Sequence, residues 1–402
     1  MLALFLMLFG ASTVLAQTAY VANINDNTVS AIDSATNTVI ATIPVGQSPI
    51  TVAVTPDGAF AYVANQGSHT VSVIDTATDT VIATVPVGTT PWATAITSNG
   101  AFVYVANQNS GTVSVIATST NTVTATIPVG SQPLGVAITP NGAFIYVTNS
   151  GGNTVSVIDA ATNTVSATIT GFSSPGNLAI TPDGAFAYVT NQGNGTVSVI
   201  DTATNTITAT IPVGVNPTFV DITPDGAFAY VTNFFSGSVS VIDTATNTEI
   251  ALVNVSLGLP AGVAISPDGT FAYVAILTAN VVLQVDTATN TVTASIPVGN
   301  GPAGIAFPTR APTVIDPIDA LIAQVQALVT GGSLTQAQSD ALIGKLHEIK
   351  TKIELGQTNG ACNQLSSFIN QVQGFINNGS LTATQGQALI DAANAIKSTL
   401  GC

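Results

Sequence analysis

Short runs of apolar and β-branched residues alternate with polar turn segments along most of the chain. Each run is rich in Val, Ile, Thr, Phe or Tyr and is bounded by Gly, Pro, Asn or Asp, which is typical of β-strands joined by hairpins. In the clearest copy of the pattern, the four runs cover approximately residues 177–180, 186–191, 196–200 and 206–211. The pattern therefore predicts units of four antiparallel strands, which we call a, b, c and d.

The four-strand unit returns at a constant interval. All seven tyrosines of the chain occupy the same position in strand b: Tyr20, Tyr62, Tyr104, Tyr146, Tyr188, Tyr230 and Tyr273. Successive tyrosines are 42 residues apart, except that the last pair is 43 residues apart. A period in this range with four strands per repeat is typical of a β-propeller blade, so the sequence predicts seven blades.

The two ends of the repeat region predict how the ring closes. The first unit begins at strand b, residues 20–23, with no strand a before it, whereas residues 301–307 form a strand a with nothing after it. Joined, the two fragments complete one blade and remove the exposed sheet edges that invite aggregation. An open solenoid of the same repeats is the alternative, but no repeat resembles a cap. We therefore expect a mainly β fold, a closed seven-bladed propeller over residues 17–309.

The strand b sequence resembles a known family. It reads Tyr-Val-Thr-Asn from Tyr146, Tyr188 and Tyr230, and Tyr-Val-Ala-Asn from three other tyrosines. This resembles the YVTN-type propeller repeat of microbial surface and secreted proteins, including surface-layer proteins. The resemblance covers residues 20–307 and is weakest in the last blade, around residues 273–285. It implies the propeller fold and a surface or secreted protein, but no particular activity.

The segments outside the repeats predict export and a second domain. Residues 1–16 are apolar and end in small residues, which predicts a signal peptide rather than a membrane anchor and an extracellular or cell-surface location. After a linker at residues 310–315, Ala, Leu, Gln and Ile follow a helical spacing over residues 316–402. Four helices are predicted there, at residues 316–329, 335–355, 362–376 and 382–400. This module resembles the FIMAH-type helical domain of secreted bacterial proteins, which implies no known chemistry.

The two cysteines both lie in the helical module. Cys362 is placed at the start of the third predicted helix and Cys402 just after the fourth. In an antiparallel helix pair those two ends are neighbours, so the spacing predicts a Cys362–Cys402 disulfide.

The charge distribution excludes two classes of partner. The chain carries a formal charge of -15, and its five basic residues all follow the propeller: Arg310, Lys345, Lys350, Lys352 and Lys397. Binding to nucleic acid or to an anionic membrane surface depends on Lys and Arg, so neither partner is expected for the propeller.

The acidic residues are predicted to collect on one face of the propeller. In a four-stranded blade the a–b and c–d turns lie at one end, and both kinds of turn carry aspartates. They are Asp57, Asp183, Asp225 and Asp268 in a–b turns and Asp33, Asp75, Asp159, Asp201, Asp243 and Asp286 in c–d turns. Asp in such turns binds the local backbone, so a structural role is favoured. Calcium binding is the alternative, although single carboxylates fall short of a full ligand set.

Residues that break the repeat are the candidates for a binding site. Trp92, His69 and the pair Phe234-Phe235 are predicted near the channel mouth on the non-acidic face. Exposed aromatic residues tend to mark interaction sites, so we expect a patch for a sugar or a protein ligand. The alternative is that these side chains fill gaps between uneven blades. Asp221 also breaks the repeat, because the other six blades have Ala there. Such a carboxylate can mark a catalytic site, but no partner residue is evident, so a channel carboxylate bonded to water or hydroxyl groups is favoured.

These observations predict a secreted, non-catalytic propeller that acts as a binding, adhesion or assembly scaffold. The helical module would attach it to a cell surface or matrix. The repeat region holds no Lys, Arg or Cys, and no clustered acids are evident, so neither catalytic residues, metal ligands nor a cofactor are predicted. The first alternative is an enzyme of the lactonase or lyase type, which shares the fold but needs channel ligands. A structural surface-lattice component is the second.

Overall fold

The computed structural model describes residues 18–255, 258–308, 333–354 and 357–402, together with seven residues between 318 and 329. The chain divides into two compact units, Met1–Thr309 and Arg310–Cys402, which we describe separately. The predicted signal peptide at residues 1–16 and the linker at residues 310–315 lie outside the described residues.

The first unit contains 28 described strands, β1 to β28, in seven four-stranded sheets. The a strands are β4 (Pro49–Val54), β8 (Pro91–Ile96), β12 (Pro133–Ile138), β16 (Pro175–Ile180), β20 (Pro217–Ile222), β24 (Pro260–Ile265) and β28 (Pro302–Ala306). The b strands are β1 (Thr18–Asn23), β5 (Phe60–Asn65), β9 (Phe102–Asn107), β13 (Phe144–Asn149), β17 (Phe186–Asn191), β21 (Phe228–Asn233) and β25 (Phe271–Ile276).

The c strands are β2 (Thr28–Asp33), β6 (Thr70–Asp75), β10 (Thr112–Ala117), β14 (Thr154–Asp159), β18 (Thr196–Asp201), β22 (Ser238–Asp243) and β26 (Val281–Asp286). The d strands are β3 (Thr38–Pro44), β7 (Thr80–Pro86), β11 (Thr122–Pro128), β15 (Thr164–Thr170), β19 (Thr206–Pro212), β23 (Thr248–Asn254) and β27 (Thr291–Pro297). A 3₁₀ turn, Ser150–Gly152, follows β13. All pairs within the sheets are antiparallel, and we number the blades 1 to 7 from the one that contains β1.

The ring closes as the repeat ends predict. Strand β28 pairs antiparallel with β1, with Tyr20 opposite Ala306 and Val21 opposite Ile305. The order of blade 1 is therefore β28-β1-β2-β3, and its inner strand comes from the far end of the propeller sequence. The a strands of successive blades contact one another around the whole ring, including β24 with β28 and β28 with β4. The prediction of a closed seven-bladed propeller is confirmed.

The propeller core lies between the blades. Strands b and c are buried at nearly every position, whereas the outer strand d alternates between exposed and partly buried residues. One cluster joins Tyr188 and Val197 of blade 5 to Val220 and Val231 of blade 6, and the other interfaces repeat this arrangement. Because both sheet faces are covered by neighbouring blades, strands b and c are apolar on both faces rather than alternating.

A buried amide explains two features of the repeat. The last residue of strand b is Asn in six blades; in blade 2, Asn65 Nδ2 donates to Thr70 Oγ1 at 3.1 Å and to Ser72 Oγ at 2.9 Å. A Cβ added to Gly46 of the preceding d–a loop would lie 2.6 Å from the Asn65 amide group, so only Gly fits there. In blade 7 the amide and its serine partner are replaced together by Ile276 and Leu283, which are both buried. Because both partners change, no polar side chain at this place is left without a hydrogen bond.

The second unit contains three described helices, α1 (Gln336–Glu354), α2 (Thr358–Asn377) and α3 (Ala383–Leu400). They share a core with the described residues of the first predicted helix, residues 316–329, which otherwise lies outside the described residues. Thr382 and Gln385 form a reciprocal capping box at the start of α3. No helix among the described residues has the length and apolar character needed to cross a membrane.

The predicted disulfide is present in this unit. Cys362 and Cys402 are bonded, with their Cα atoms 5.9 Å apart. Helix α2 begins at Thr358, four residues earlier than predicted, so Cys362 lies in its second turn. Cys402 follows the end of the antiparallel helix α3, beside that turn.

Candidate functional site

The central channel is lined by the free edges of the seven a strands. Every a strand begins with Pro, which has no N–H to donate to a sheet and is therefore confined to strand starts and edges. Each a strand pairs with strand b on one side only, so its other edge faces the channel. Ala, Gly and Val are frequent on these strands, and small side chains allow the seven edges to approach one another.

Asp221 is the only carboxylate on these seven strands. It is the fifth residue of β20, and its Oδ1 accepts a hydrogen bond of 2.9 Å from the Ile222 amide. Its Oδ2 accepts one of 2.8 Å from the Ile265 amide, at the free edge of β24. The carboxylate therefore bridges the inner strands of blades 6 and 7, in a fixed orientation and only partly exposed.

The environment of Asp221 favours its protonated form. Burial raises the pKa of Asp221 to about 6, although the Ile265 and Ile222 amides act in the opposite direction. A carboxyl group that titrates near neutral pH can accept a proton from water, which is the requirement for a general base. Comparison of the blades in the sequence identified Asp221, but only the packing of β20 against β24 shows that the Ile265 amide donates a hydrogen bond to it.

Sequence reasoning missed two other polar residues of the inner strands. Thr94 stands where most other blades have Val, and its hydroxyl is buried without a hydrogen-bond partner among the described residues. Asn177 lies on β16, whose strand contacts β20, and its Oδ1 accepts a 2.6 Å hydrogen bond from the Leu178 amide. Thr94 breaks the repeat, so the comparison that singled out Asp221 would also have found it, whereas the position of Asn177 varies among the blades and gives no such signal.

The predicted aromatic patch is divided between distant blades. Trp92 is the second residue of β8 and is partly buried against a cluster that includes Ile50 and Ala303. This packing agrees with the alternative that Trp92 fills a gap between blades. His69 is exposed in the b–c loop of blade 2, and its Nδ1 accepts a 3.1 Å hydrogen bond from the Thr90 amide.

Phe234 and Phe235 lie in the b–c loop of blade 6, on the opposite side of the ring from His69 and Trp92. Their rings meet edge to face, with centroids 5.3 Å apart, and Phe235 is 66% exposed. Phe235 borders a shallow cleft of about 440 Å³ together with Ser236 and Leu259. The structure thus places all four residues at the same end of the propeller but brings only the two phenylalanines together.

The aspartates of the a–b turns bind their own turns. Asp57 Oδ1 accepts hydrogen bonds from Thr55 Oγ1 at 2.6 Å and from the Ala59 amide at 3.0 Å. In blade 3 the same two bonds are made by Asn99, so the position needs an oxygen acceptor rather than a charge. This equivalence supports the turn role of these aspartates. Among the residues described by the structure, no three His, Cys, Asp or Glu side chains are grouped so that they could hold a metal ion.

Two family models match parts of the propeller. Residues 15–127 match the model "Lactonase, 7-bladed beta-propeller", and residues 87–194 match the model "YNCE-like beta-propeller". A search of curated proteins returned no significant match.

Solved structures share the propeller fold. Kuenenia stuttgartiensis hydrazine synthase is 26% identical with a TM-score of 0.59, over 64% of this chain and 88% of that one. A Desulfotomaculum acetoxidans protein of unknown function is 20% identical with a TM-score of 0.65, over 73% of this chain and 99% of that one. A candidate 6-phosphogluconolactonase from Bacteroides uniformis is also 20% identical with a TM-score of 0.63, over the same shares of the two chains. At these identities the likeness establishes the fold alone.

The expectation of a non-catalytic protein is wrong. The match of residues 15–127 to the lactonase model points to hydrolase activity. The expectation rested on the absence of several convergent channel ligands. The inner strands do carry one carboxylate, Asp221, and burial there raises its pKa to about 6. The chain is a seven-bladed β-propeller with a C-terminal helical module, and in part of its length it is similar to lactonase and YNCE-like propellers.

Proposed function

We propose that this propeller hydrolyses lactones and that Asp221 is the general base. The observation that carries the proposal is the position of Asp221 in the channel, where both oxygens are held by backbone amides and burial raises its pKa to about 6. Above that pH the carboxylate is ionised, and each oxygen keeps a lone pair available to a bound water.

The reaction requires one proton acceptor. Asp221 removes a proton from water while the water oxygen bonds to the lactone carbonyl carbon. The ring C–O bond then breaks, and the proton passes from Asp221 to the released ring oxygen. The product is a hydroxy acid, so one water is consumed for each lactone and no oxidant or reductant is needed.

The repeat itself supports a functional origin for Asp221. A buried carboxylate is destabilising, and six blades place Ala at this position: Ala53, Ala95, Ala137, Ala179, Ala264 and Ala306. A residue that breaks a local rule without a structural gain is expected at a functional site. The match to the lactonase model independently favours the same reaction class.

Hydrolysis of a panel of γ- and δ-lactones by the purified full chain tests the proposal. We expect measurable turnover that falls by about a hundredfold or more in Asp221→Ala, because general-base catalysis contributes on this scale. Ala at this position occurs in the other six blades, so the variant is expected to fold.

The matched control is Asp79→Asn, which also neutralises a carboxylate. It restores the residue found at the equivalent c–d turn position of the other six blades, including Asn37 and Asn121. The control is expected to keep full activity. Equal activity in Asp221→Ala and the unchanged chain would contradict the role of Asp221.

We also propose that the protein acts outside the cell. The Cys362–Cys402 disulfide supports this location, because such bonds persist in oxidising compartments. The test is to recover the chain from cell-free medium and to alkylate its cysteines before and after reduction. We expect Cys362 and Cys402 to react only after the disulfide is reduced. Recovery only from the cytosol with free thiols would contradict it.

We propose further that the propeller belongs to the YVTN-type repeat family and that the helical module is a FIMAH-type domain. Attachment to a cell surface or matrix through that module is also a proposal. A protein or carbohydrate ligand at the non-acidic end is a further proposal, supported by the exposure of Phe235 beside its cleft. Binding of a glycan array to the chain and to Phe235→Ala tests that role. Unchanged binding in the variant would contradict a contribution of Phe235.

A further inference from the structure

The charge of the propeller restricts which lactones can reach Asp221. Residues 18–308 contain thirteen aspartates and one glutamate but no Lys or Arg. Proteins bind phosphate groups chiefly through Arg, Lys and free backbone N–H groups. The first two are missing from the part of the propeller that the structure describes.

Asp221 also lies near the more acidic end of the channel. It is the fifth of six residues of β20, and the a–b turn that follows carries Asp225. Three other a–b turns at this end carry Asp57, Asp183 and Asp268. A ligand that enters from this end passes several carboxylates before it meets Asp221.

Two of these turn carboxylates, Asp57 and Asp183, have lowered pKa values. The Thr55 hydroxyl and then the Ala59 amide hold the pKa of Asp57 below its ordinary value. The corresponding hydroxyl and amide of blade 5 lower the pKa of Asp183 in the same way. The negative charge at this end is therefore present throughout the range in which Asp221 acts as a base.

Backbone donors at this end are already engaged. The Ala59 and Ala185 amides donate to Asp57 and Asp183, and the Ala227 amide donates to Asp225 at 3.0 Å. These N–H groups cannot bind a phosphate without breaking the turns. His69, the one histidine of the propeller, lies at the opposite end, with its Nδ1 occupied by the Thr90 amide.

We propose that the channel admits uncharged lactones and excludes phosphorylated or otherwise anionic ones. The inference rests on the proposed hydrolase function and names its substrate class. It separates this chain from an enzyme for a phosphorylated sugar lactone, although the propeller fold is shared with a candidate 6-phosphogluconolactonase.

The test compares δ-gluconolactone with its 6-phosphate on the full chain. We expect kcat/KM to be at least about tenfold higher for the uncharged lactone at low salt, because like charges reduce association. The difference should shrink as the ionic strength rises to about 0.5 M, where exposed charges are screened. An equal or higher kcat/KM for the phosphorylated lactone would overturn the inference.

Asp225→Asn tests the source of the exclusion. Asn99 and Asn141 occupy the equivalent turn position in blades 3 and 4 with the same hydrogen bonds, so the variant should keep its turn. We expect the ratio of phosphorylated to uncharged turnover to rise about two- to threefold. The matched control, Asp26→Asn, removes a carboxylate at the opposite end and should leave this ratio unchanged. Equal effects of the two substitutions would contradict exclusion by the acidic end.

A binding measurement separates this inference from the proposed activity. If neither lactone is hydrolysed, the hydrolase proposal fails, and the inference is then decided by adding inorganic phosphate to the full chain. No change in the unfolding temperature up to about 10 mM phosphate supports anion exclusion. Stabilisation by phosphate in this range would overturn it.

Discussion

The hydroxyl of Tyr188 in blade 5 donates a hydrogen bond of 2.7 Å to Asn247 Oδ1 in blade 6. Asn247 has a positive φ of 53° at the end of the c–d turn, a conformation that Asn tolerates better than most residues. The same contact joins other neighbouring blades, including Tyr273 of blade 7 to Asn37 of blade 1 at 2.8 Å. The repeated tyrosine thus links strand b to the next blade in blades 2 to 7.

We predict that Tyr188→Phe lowers the free energy of unfolding by about 1–2 kcal/mol, because the ring stays buried while Asn247 Oδ1 loses its donor. Urea denaturation followed by the fluorescence of Trp92 measures the change. Tyr104→Phe is the matched control, since its hydroxyl lies 3.4 Å from Asn163 Oδ1 and contributes less. Equal losses in the two variants would show that the hydrogen bond is not the cause.

Asp79 occupies the turn position that holds Asn in the other six blades. Burial and the nearby charge of Asp75 raise the pKa of Asp79, and Tyr20 beside it has its pKa raised to about 12 by burial and then by Asp79. A raised carboxyl pKa means that the folded state loses stability as the pH rises from about 4 and Asp79 ionises.

We therefore predict that Asp79→Asn raises the free energy of unfolding at pH 7 by about 0.5–1 kcal/mol. The gain should disappear below about pH 4, where the carboxyl is protonated in the folded and unfolded states. Urea denaturation at both pH values checks this prediction. A gain of the same size at low pH would contradict an origin in ionisation.

Asp221→Ala is predicted to increase stability while it removes activity. Because the pKa of Asp221 rises from 3.8 to about 6 on folding, the folded protein loses stability as the pH rises from about 4, and the loss is complete above about pH 6. We expect a gain of about 1–2 kcal/mol at pH 8, after allowance for two lost hydrogen bonds, and no gain below pH 4, where the carboxyl is protonated in the folded and unfolded states. Thermal unfolding across this range measures both. A loss of stability at pH 8 would contradict the assigned pKa.

The pH dependence of hydrolysis provides an independent measurement on Asp221. We predict that kcat/KM rises with pH and levels off above about pH 6, because the ionised carboxylate is the active base. Initial rates between pH 4 and 8, corrected for spontaneous lactone opening, give the profile. A rate that falls through this range would require an acid instead.

Reduction of the Cys362–Cys402 disulfide should affect the helical module. The closed loop has a sequence separation of 40, and removing a crosslink of that size lowers the free energy of unfolding by about 3–4 kcal/mol in the chain-entropy model. Cys362→Ser combined with Cys402→Ser is expected to lower the unfolding temperature of this unit. Circular dichroism of the helices measures it, and an unchanged transition would contradict the prediction.

The repeat pattern by itself determined the blade count, the strand order and the closure. These features depend on local rules, since strand runs, turn residues and a constant period are all visible in one dimension. The same comparison singled out Asp221, because the sequence alone shows that the other six blades have Ala at this position.

Only the tertiary structure decided which groups are contacted by the residues that differ from the repeat consensus. Burial raises the pKa of Asp221, while the Ile265 amide, 44 residues away on the edge of the next blade, binds its Oδ2 and acts in the opposite direction. Gln284, in the least regular blade, donates to the Tyr273 hydroxyl at 3.0 Å and accepts from Asn37 at 3.1 Å, where the first and last blades meet. The residues of the predicted aromatic patch lie apart because they belong to different blades, and equivalent loops of different blades are spaced around the ring. A repeat determines how one blade folds, whereas burial and pairing between blades depend on which residues the closed ring places side by side.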